Sequence, residues 1–318
     1  MASYQKFLQI GIALDPIHVG AGGARIGRVD LTIVRDPVTQ VPKIPGSSLA
    51  GVYRTYVAMD CNKFPNCAGL GLDEKRSHCR QPDCPVCTVF GFARGKDQAG
   101  GFAGLAAFTD AHVLLFPVPT RQGPHWVTCP MALQLVALGV NGVDKDAVYV
   151  KDASGNQLNL GWLLLPVCQH AQMPDIETRL QKLNVPDYIR NRLALVPDRL
   201  FAHIVNSNLE VRTSVSIDPE TGAAQEGALF SYEALPRTTV LVWEIIAKNP
   251  AHFNISGQQI KAVSDPQSVR GVAARAHPYL EHLGIGGMGT RGMGRLRVIY
   301  PGPPPDNQQA PCAPLGSE

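Results

Sequence analysis

The chain opens on an alternation. In MASYQKFLQIGIAL, Leu8, Ile10, Ile12 and Leu14 recur at every second residue, which places them on one face of a strand. A glycine-rich loop, DPIHVGAGGARIGR, interrupts the pattern, and Val29, Leu31 and Ile33 restore it. VPKIPGSSLAGVYRTYV then changes period. Leu49, Val52, Tyr53 and Tyr56 fall at helical spacing, and Ser47 or Ser48 can cap the first turn. From about 59 to 90 the periodicity disappears. It returns as a strand in LAAFTDAHVLLFPV, a short helix in CPMALQLVAL, and a hairpin in VYVKDASGNQLNLGWLLL turning at Ser154-Gly155-Asn156. Residues 174 to 198 read as helix on Ile176, Leu180, Leu183 and Ile189, and FAHIV and LVWEIIA read as strands. Between those two strands a long polar stretch, about 206 to 228, predicts a protruding hairpin. SDPQSVRGVAARAHPYLEHLG predicts a capped helix ending at Gly284, and RLRVIY a last strand.

The order strand, helix, strands, helix, strand fits an α+β fold with a ferredoxin-like core and large insertions, in one domain reaching to about residue 300. After Tyr300 the segment PGPPPDNQQAPCAPLGSE (301 to 318) has the composition of a disordered tail. The 31 glycines and 26 prolines point to many turns and long loops rather than a helical bundle.

Charge adds one constraint. With 29 Lys and Arg against 26 Asp and Glu the net charge is +3, so a nucleic-acid surface would have to concentrate its cations locally. No run is apolar enough to span a bilayer and the start lacks the form of a secretory signal; the expectation is a cytoplasmic protein with no membrane partner. In that compartment eight cysteines argue for metal or buried thiols before disulfides.

Five of those cysteines, Cys61, Cys67, Cys79, Cys84 and Cys87, fall in the segment that has lost its periodicity. Cys84 and Cys87 have the two-residue spacing that lets both thiolates reach one tetrahedral ion, and thiolates suit Zn2+. The expected ligands are Cys79, Cys84 and Cys87 with Cys67, and Cys61 and His78 are the alternates. A closed four-ligand site would be structural and would replace the core this loop lacks. A zinc deaminase would need an H-x-E, which does not occur in the chain. The alternative is a loop of unliganded thiols.

Two glycine loops carry arginines. GIGGMGTRGMGRLRV contains a literal G-x-G-x-x-G, but it follows a helix and enters a strand, the reverse of the dinucleotide-binding context. It reads better as backbone that approaches phosphates, with Arg291 and Arg295 supplying charge. The first loop repeats this chemistry, with His18, Arg25, Arg28, Arg35, Lys43 and Arg54 close in sequence. Lys43, Ser47, Ser48 and Arg54 lie around a helix N-terminus, which favours phosphate. One acid, Asp30, follows the first loop. The plain reading is a salt bridge to Arg28 or Arg35 that pins the loop.

HVGAG, VDLTIVRD and VPKIPGSSLAGVYR resemble the N-terminal signature of the RAMP superfamily of CRISPR proteins. AFTDAHVLLFPVPT, HWVTCPMAL, LFSYEALP and GIGGMGTRGMGRL resemble the repeated backbone subunit of type III-B (Cmr) complexes, while CPVCTVFG resembles the zinc-loop exit of backbone subunits in other type III subtypes. The resemblance covers most of residues 5 to 300. It implies a modified ferredoxin-like (RRM-like) palm with a zinc-binding insertion. Copies would stack along a guide CRISPR RNA beside other type III effector subunits. A thumb hairpin, here about 206 to 228 with Arg212, would disrupt guide–target pairing at regular steps, and target RNA would be cut beside each thumb. The family's cleavage aspartate lies in the V-D-L motif, here Asp30.

The resemblance gives that single acid a chemistry. One carboxylate cannot build a two-metal site, but RNA brings its own nucleophile, the 2′-OH beside the scissile phosphate. Asp30 would assist proton transfer, or hold Mg2+ or another divalent ion, with Arg25 and Arg28 offsetting charge on the phosphorane. This makes the chain an endoribonuclease within an assembled, RNA-guided complex. Two alternatives stand beside it: a non-catalytic guide-RNA-binding scaffold of the same fold, and a zinc-stabilised nucleotide-binding metabolic enzyme.

Overall fold

The computed structural model describes residues 2–22, 29–69, 78–93, 100–143, 145–151, 155–224 and 229–302. Along the first third of the chain run β1 (Tyr4–Ala13), β2 (Lys43–Ile44), α1 (Gly46–Asp60), α2 (Pro85–Phe90), β3 (Ala106–Phe108) and β4 (Ala111–Val118). The middle contributes β5 (His125–Thr128), α3 (Pro130–Gln134), β6 (Val148–Val150), β7 (Gln157–Leu160), β8 (Leu163–Cys168), α4 (Met173–Lys182), α5 (Asp187–Arg190), β9 (Leu193–Leu195) and α6 (Asp198–Ser207). The last third holds β10 (Glu210–Ser214), β11 (Phe230–Ala234), β12 (Val240–Lys248), β13 (Asn254–Ile255), β14 (Gln258–Gln259), α7 (Pro266–Ala274), α8 (His277–His282) and β15 (Leu296–Tyr300).

This is an α+β protein built on one large mixed sheet of 11 strands among the described residues. Its organising part is four strands in the spatial order β15-β1-β12-β4, each antiparallel to its neighbour. The chain reaches them as strand, helix, strand, strand, helix, strand: β1 leads through α1 to β4, and β12 leads through α7 and α8 to β15. Beyond β4 the sheet continues through β5, β9, β6, β8 and β7.

Both faces of the central strands are covered, and the alternation read from the sequence explains how. Ile10 and Ile12 of β1 join Val240 and Val242 of β12 in the cluster with Ile176 and Leu180 of α4. Phe7, Leu241, Trp243 and Ile245 point the other way, into the cluster with Leu49, Tyr53 and Val57 of α1 and Val269 and Val272 of α7. A strand buried on both sides reads as an unbroken apolar run, which is the character of LVWEIIA.

Several elements depart from the sequence reading. FAHIV is not a strand but the middle of α6. Five apolar-rich residues fit either period, and what decides is the Pro197-Asp198 start, after which Phe201, Ile204 and Val205 are buried at i, i+3 and i+4. The segment 174 to 198 is two short helices and a strand, because Asn184 takes a left-handed conformation (φ 59°) and Pro186 follows it. The hairpin placed at Ser154-Gly155-Asn156 turns instead at Gly161-Trp162, where β7 pairs antiparallel with β8, and β6 pairs with β8 in parallel. The segment 29 to 35 forms isolated bridges, each to a different partner, rather than a continuous ladder. The capped helix does form, with Asp265 and Ser268 in a reciprocal capping box, but it breaks into α7 and α8. No helix among the described residues is long and apolar enough to cross a membrane. The tail from 303 onward lies outside the described residues.

His277, at the start of α8, packs edge-on against Tyr53 with ring centroids 5.7 Å apart and buries its Nε2 without a hydrogen-bond partner. Burial holds the imidazole down to about 3. Above pH 6.5 neither the folded nor the unfolded chain protonates this group. Below it the unfolded chain takes a proton that the folded one refuses, so stability falls with decreasing pH by up to about 1.4 kcal/mol per unit from this one group. Urea unfolding between pH 7 and 5 should show that decline, and His277→Phe should flatten it. An equal slope in both proteins would refute the assignment.

Candidate functional site

The segment that follows the first glycine loop lies along the foot of the β10–β11 hairpin. Leu31 forms a parallel bridge with Tyr232: its N–H donates to the Ser231 carbonyl at 3.1 Å, and the Glu233 N–H donates to the Leu31 carbonyl at 3.0 Å. This register sets Asp30 against Ser231. Asp30 Oδ2 accepts from the Ser231 N–H at 2.7 Å and from its hydroxyl at 2.9 Å, while the Asp30 N–H reaches Ser231 Oγ at 3.2 Å. The side chain stays exposed. No hydrogen bond engages Oδ1 among the described residues. The backbone and hydroxyl donors of Ser231 stabilise the anion and hold this carboxyl below the usual range.

Beneath Asp30 lies a small apolar cluster of Tyr232, Ala234 and Met293, with Leu31, Phe230 and Met288 packed on it. It joins three segments far apart in sequence: the extended residues after the first loop, the hairpin foot, and the C-terminal glycine loop. Backbone bonds reinforce the joint. The Gly287 N–H donates to the His18 carbonyl at 2.9 Å, and the Gly294 N–H to the Pro16 carbonyl at 2.8 Å. The two glycine loops therefore do meet, but these N–H groups serve each other's loop and are not offered to phosphate.

The expected salt bridge between Arg35 and Asp30 does not form. Arg35 instead pairs with Glu233 at 2.8 Å and donates through Nε to Asn206 at 2.8 Å. His18 is 6% exposed, with Nδ1 2.6 Å from the Glu233 carbonyl and its ring edge-on to Tyr232. It is a strut under the site rather than part of its surface. Arg25 and Arg28 lie outside the described residues. Of the other expected RNA contacts, Arg212 pairs with Glu210 in the hairpin at 2.6 Å, and Arg295 forms a two-point pair with Asp15 at 2.5 and 3.0 Å. Arg291 is exposed, lies over the Phe230 ring and donates to Ser214 at 3.2 Å, which places its charge beside the hairpin foot.

The N-terminus of α1 proves to be already served. The Gly46 N–H donates to Asp110 Oδ1 at 2.8 Å, and Lys43 pairs with Asp110 Oδ2 at 2.7 Å and Asp36 at 3.5 Å. An internal carboxylate occupies the place assigned to phosphate, and the Asp110 interaction raises the Lys43 pKa. Neither Ser47 nor Ser48 caps the helix; Pro45 stands at that position. Arg54 is a further correction. Its guanidinium is partly buried and donates to the Gly91 carbonyl, beside the cysteines, rather than lying on the face by the helix N-terminus.

Four cysteines converge. Each of Cys67, Cys79, Cys84 and Cys87 offers one sulfur, all within 4.8 Å of one another, and Cys79 and Cys87 sulfurs are 3.7 Å apart. A zinc–sulfur bond of about 2.3 Å puts tetrahedral thiolates about 3.8 Å apart, so the set fits such an ion. This selects Cys67 as the fourth member and leaves the alternates Cys61 and His78 outside it. The start of α2 builds half the site, with Cys84 at the N-cap, Pro85 opening the helix and Cys87 one turn on. Contact with Cys67 pushes the Cys79 thiol down and the Cys87 thiol up.

Ser231, Asp110 and Asp15 were not singled out from the sequence. Ser231 had a signal, as the polar position between Phe230 and Tyr232 in an alternating segment. The partners of Lys43 and Arg295 had none, because their pairing depends on contacts across 67 and 280 positions.

A model of the RAMP superfamily matches residues 12–297, and the chain belongs to that family. A protein of Pyrococcus furiosus named CRISPR system Cmr endoribonuclease Cmr4 is 26% identical over 305 residues, covering 90% of this chain and 92% of that one. A protein of Methanothermobacter thermautotrophicus named CRISPR system Cms endoribonuclease Csm3 is 32% identical over 94 residues, 30% of this chain and 32% of its own length. Among solved structures, a chain of the type III-B Cmr-beta complex bound to cognate target RNA has a TM-score of 0.64 at 18% identity, covering 94% of this chain and 99% of its own. Oligomeric Cmr4 from Pyrococcus furiosus has a TM-score of 0.56 at 19% identity, covering 94% and 100%.

Gly286 tests the joint between the glycine loops. Its φ is +91°, and a Cβ there would meet the His18 carbonyl oxygen at 2.3 Å, whereas one at Gly289 would meet nothing within 4 Å. Gly286→Ala should lower stability by about 1–3 kcal/mol, and Gly289→Ala should change it little. Thermal unfolding checks both, and equal melting would show that the loops are not docked in this way.

Proposed function

We propose that this chain is a backbone subunit of a type III-B-like CRISPR effector complex, an endoribonuclease that binds guide RNA and cuts complementary target RNA at regular intervals. The observation that carries this reading is Asp30. A family member whose full-length relative is named an endoribonuclease holds one exposed, ionised carboxylate at the foot of a hairpin. The strand order β15-β1-β12-β4 supports a ferredoxin-like palm. The β10–β11 hairpin, which pairs with no strand of the main sheet, would be the thumb. Its partners are guide RNA, target RNA, further copies of the chain and other effector subunits.

The reaction is transesterification. The ribose 2′-OH gives up its proton to water and attacks the adjacent phosphorus, the bond to the 5′ oxygen breaks, and that oxygen takes a proton from water, leaving a 2′,3′-cyclic phosphate and a 5′-OH. The thumb's task is to hold the splayed nucleotide so that attack is in line. Asp30 has a lowered pKa and is a poor proton acceptor at neutral pH, so its role is electrostatic: it fixes a cation, or the 2′-OH, through the oxygen left open by Ser231. Glu233 is committed to Arg35, so Asp30 alone would hold a divalent ion such as Mg2+ beside the RNA phosphate, and that ion would offset charge on the phosphorane. The four cysteines hold Zn2+ as a structural centre.

Asp30→Asn in the assembled complex should lower target cleavage by about 100-fold or more and leave target binding within about twofold. Gel assays of cleavage and binding on one preparation separate the two. Persisting cleavage would defeat the assignment, and cleavage absent from the wild type would favour a scaffold. Arg291→Ala should weaken RNA binding for every sequence and lower the salt slope by about 1, as measured by titration at several salt concentrations. An unchanged slope would remove Arg291 from the RNA path.

A further inference from the structure

The four-cysteine cluster leaves a question of charge. Arg54 lies on α1 and donates to the carbonyl of Gly91, the residue that closes α2; the Gly91 N–H in turn donates to the Cys87 carbonyl at 3.0 Å. The charges that act on its guanidinium are those of Cys87, Cys67 and Cys84. Among the described residues no carboxylate pairs with it, and its Nε is buried without a hydrogen-bond partner. A guanidinium cannot give up its proton, so one that is partly buried without an anion is costly. His78 lies close to Arg54 and Cys79; its ring makes a hydrogen bond with the Cys67 backbone, and its Nδ1 is buried without a partner. Four neutral thiols would leave these groups unanswered. Four thiolates around a divalent ion carry a net charge of 2−, and metal-bound sulfur accepts hydrogen bonds.

We infer that Arg54 is the counter-ion of a metallated four-thiolate centre: its charge offsets half of the 2−, it is anchored on the carbonyl that closes α2, and metal occupancy thereby clamps α1 to α2. Arg54 is thus a positioning residue for the metal and not an RNA contact. The inference rests on the reading of the cluster as a zinc centre.

The test uses the full-length chain, with zinc content measured and release to a chromophoric chelator followed in time. The wild type should hold one zinc per chain. Arg54→Met should release it about 10- to 100-fold faster, with Arg54→Lys between the two. Metal should also invert the order of stability: loaded wild type should melt above loaded Arg54→Met, and stripped wild type at or below the stripped variant, because only the wild type then carries an unanswered cation. Release rates and melting equal to wild type in both variants would overturn the role of Arg54 while the zinc centre stands. A wild type that holds no zinc, and gives no thiolate spectrum with Co2+, would overturn both. If Arg54→Met does not fold, Arg54→Gln and Arg54→Lys make the same comparison, and wild-type release from both would sink the inference.

Discussion

The site depends on a short backbone match between residues 30 to 33 and residues 231 to 233. The backbone bridge between Leu31 and Tyr232 fixes the register, and the register decides which side chains face each other. One residue of slip would turn Asp30 away from Ser231 and Arg35 away from Glu233 together, since strand side chains alternate. The small cluster around Tyr232 and Met293 holds that register with little buried area, so the glycine contacts beside it matter more than their size suggests. Gly286 allows one loop to approach the other closely enough for the Gly287 N–H to reach the His18 carbonyl, and that contact keeps the hairpin foot, the Asp30 segment and the C-terminal loop in one piece.

Periodicity served well where burial decides the structure. The face carrying Ile10 and Ile12, the buried run of β12 and the stripe of α1 were legible because each repeats over several turns or pleats. It failed where a segment was short or its pairing distant. Nothing in FAHIV itself distinguishes a helix from a strand, and nothing in VYVKDASGNQLNLGWLLL states that its first strand pairs in parallel with its third. The fourth member of the cysteine cluster was ambiguous for the same reason: spacing along the chain limits what can meet, but only the fold brings Cys67, rather than Cys61 or His78, to the other three sulfurs. Asp30 was singled out through the family resemblance alone; the contact that holds its side chain, Ser231, comes from the fold.

Charge shows a different kind of loss. Counted in sequence, Lys43, Arg35, Arg54 and Arg295 are cations near glycine loops. In the folded chain Lys43 is held by Asp110, Arg35 by Glu233 and Arg295 by Asp15, and Arg54 faces the cysteines. Whatever each pair adds to stability, it removes a cation from the pool that an RNA backbone could draw on. Arg291, exposed beside the hairpin foot, keeps a charge that a polyanion could still meet.

The same accounting explains why the cysteine segment sits where it does. Residues 59 to 90 have too few apolar positions to order themselves, and α2 is only six residues long, too short to be stable alone. Cys87 and Val89 reach the main core beside α1 and α7, so whatever orders the four sulfurs also seats α2 against α1. Since α1 begins beside Asp110 and Lys43 and packs on the central strands, a centre far from Asp30 in sequence supports the same frame that carries it. On this view a metal held by the four cysteines would take no part in strand scission: it would supply the local order that the loop's own side chains cannot, and Arg54 beside it would belong to that centre's charge balance.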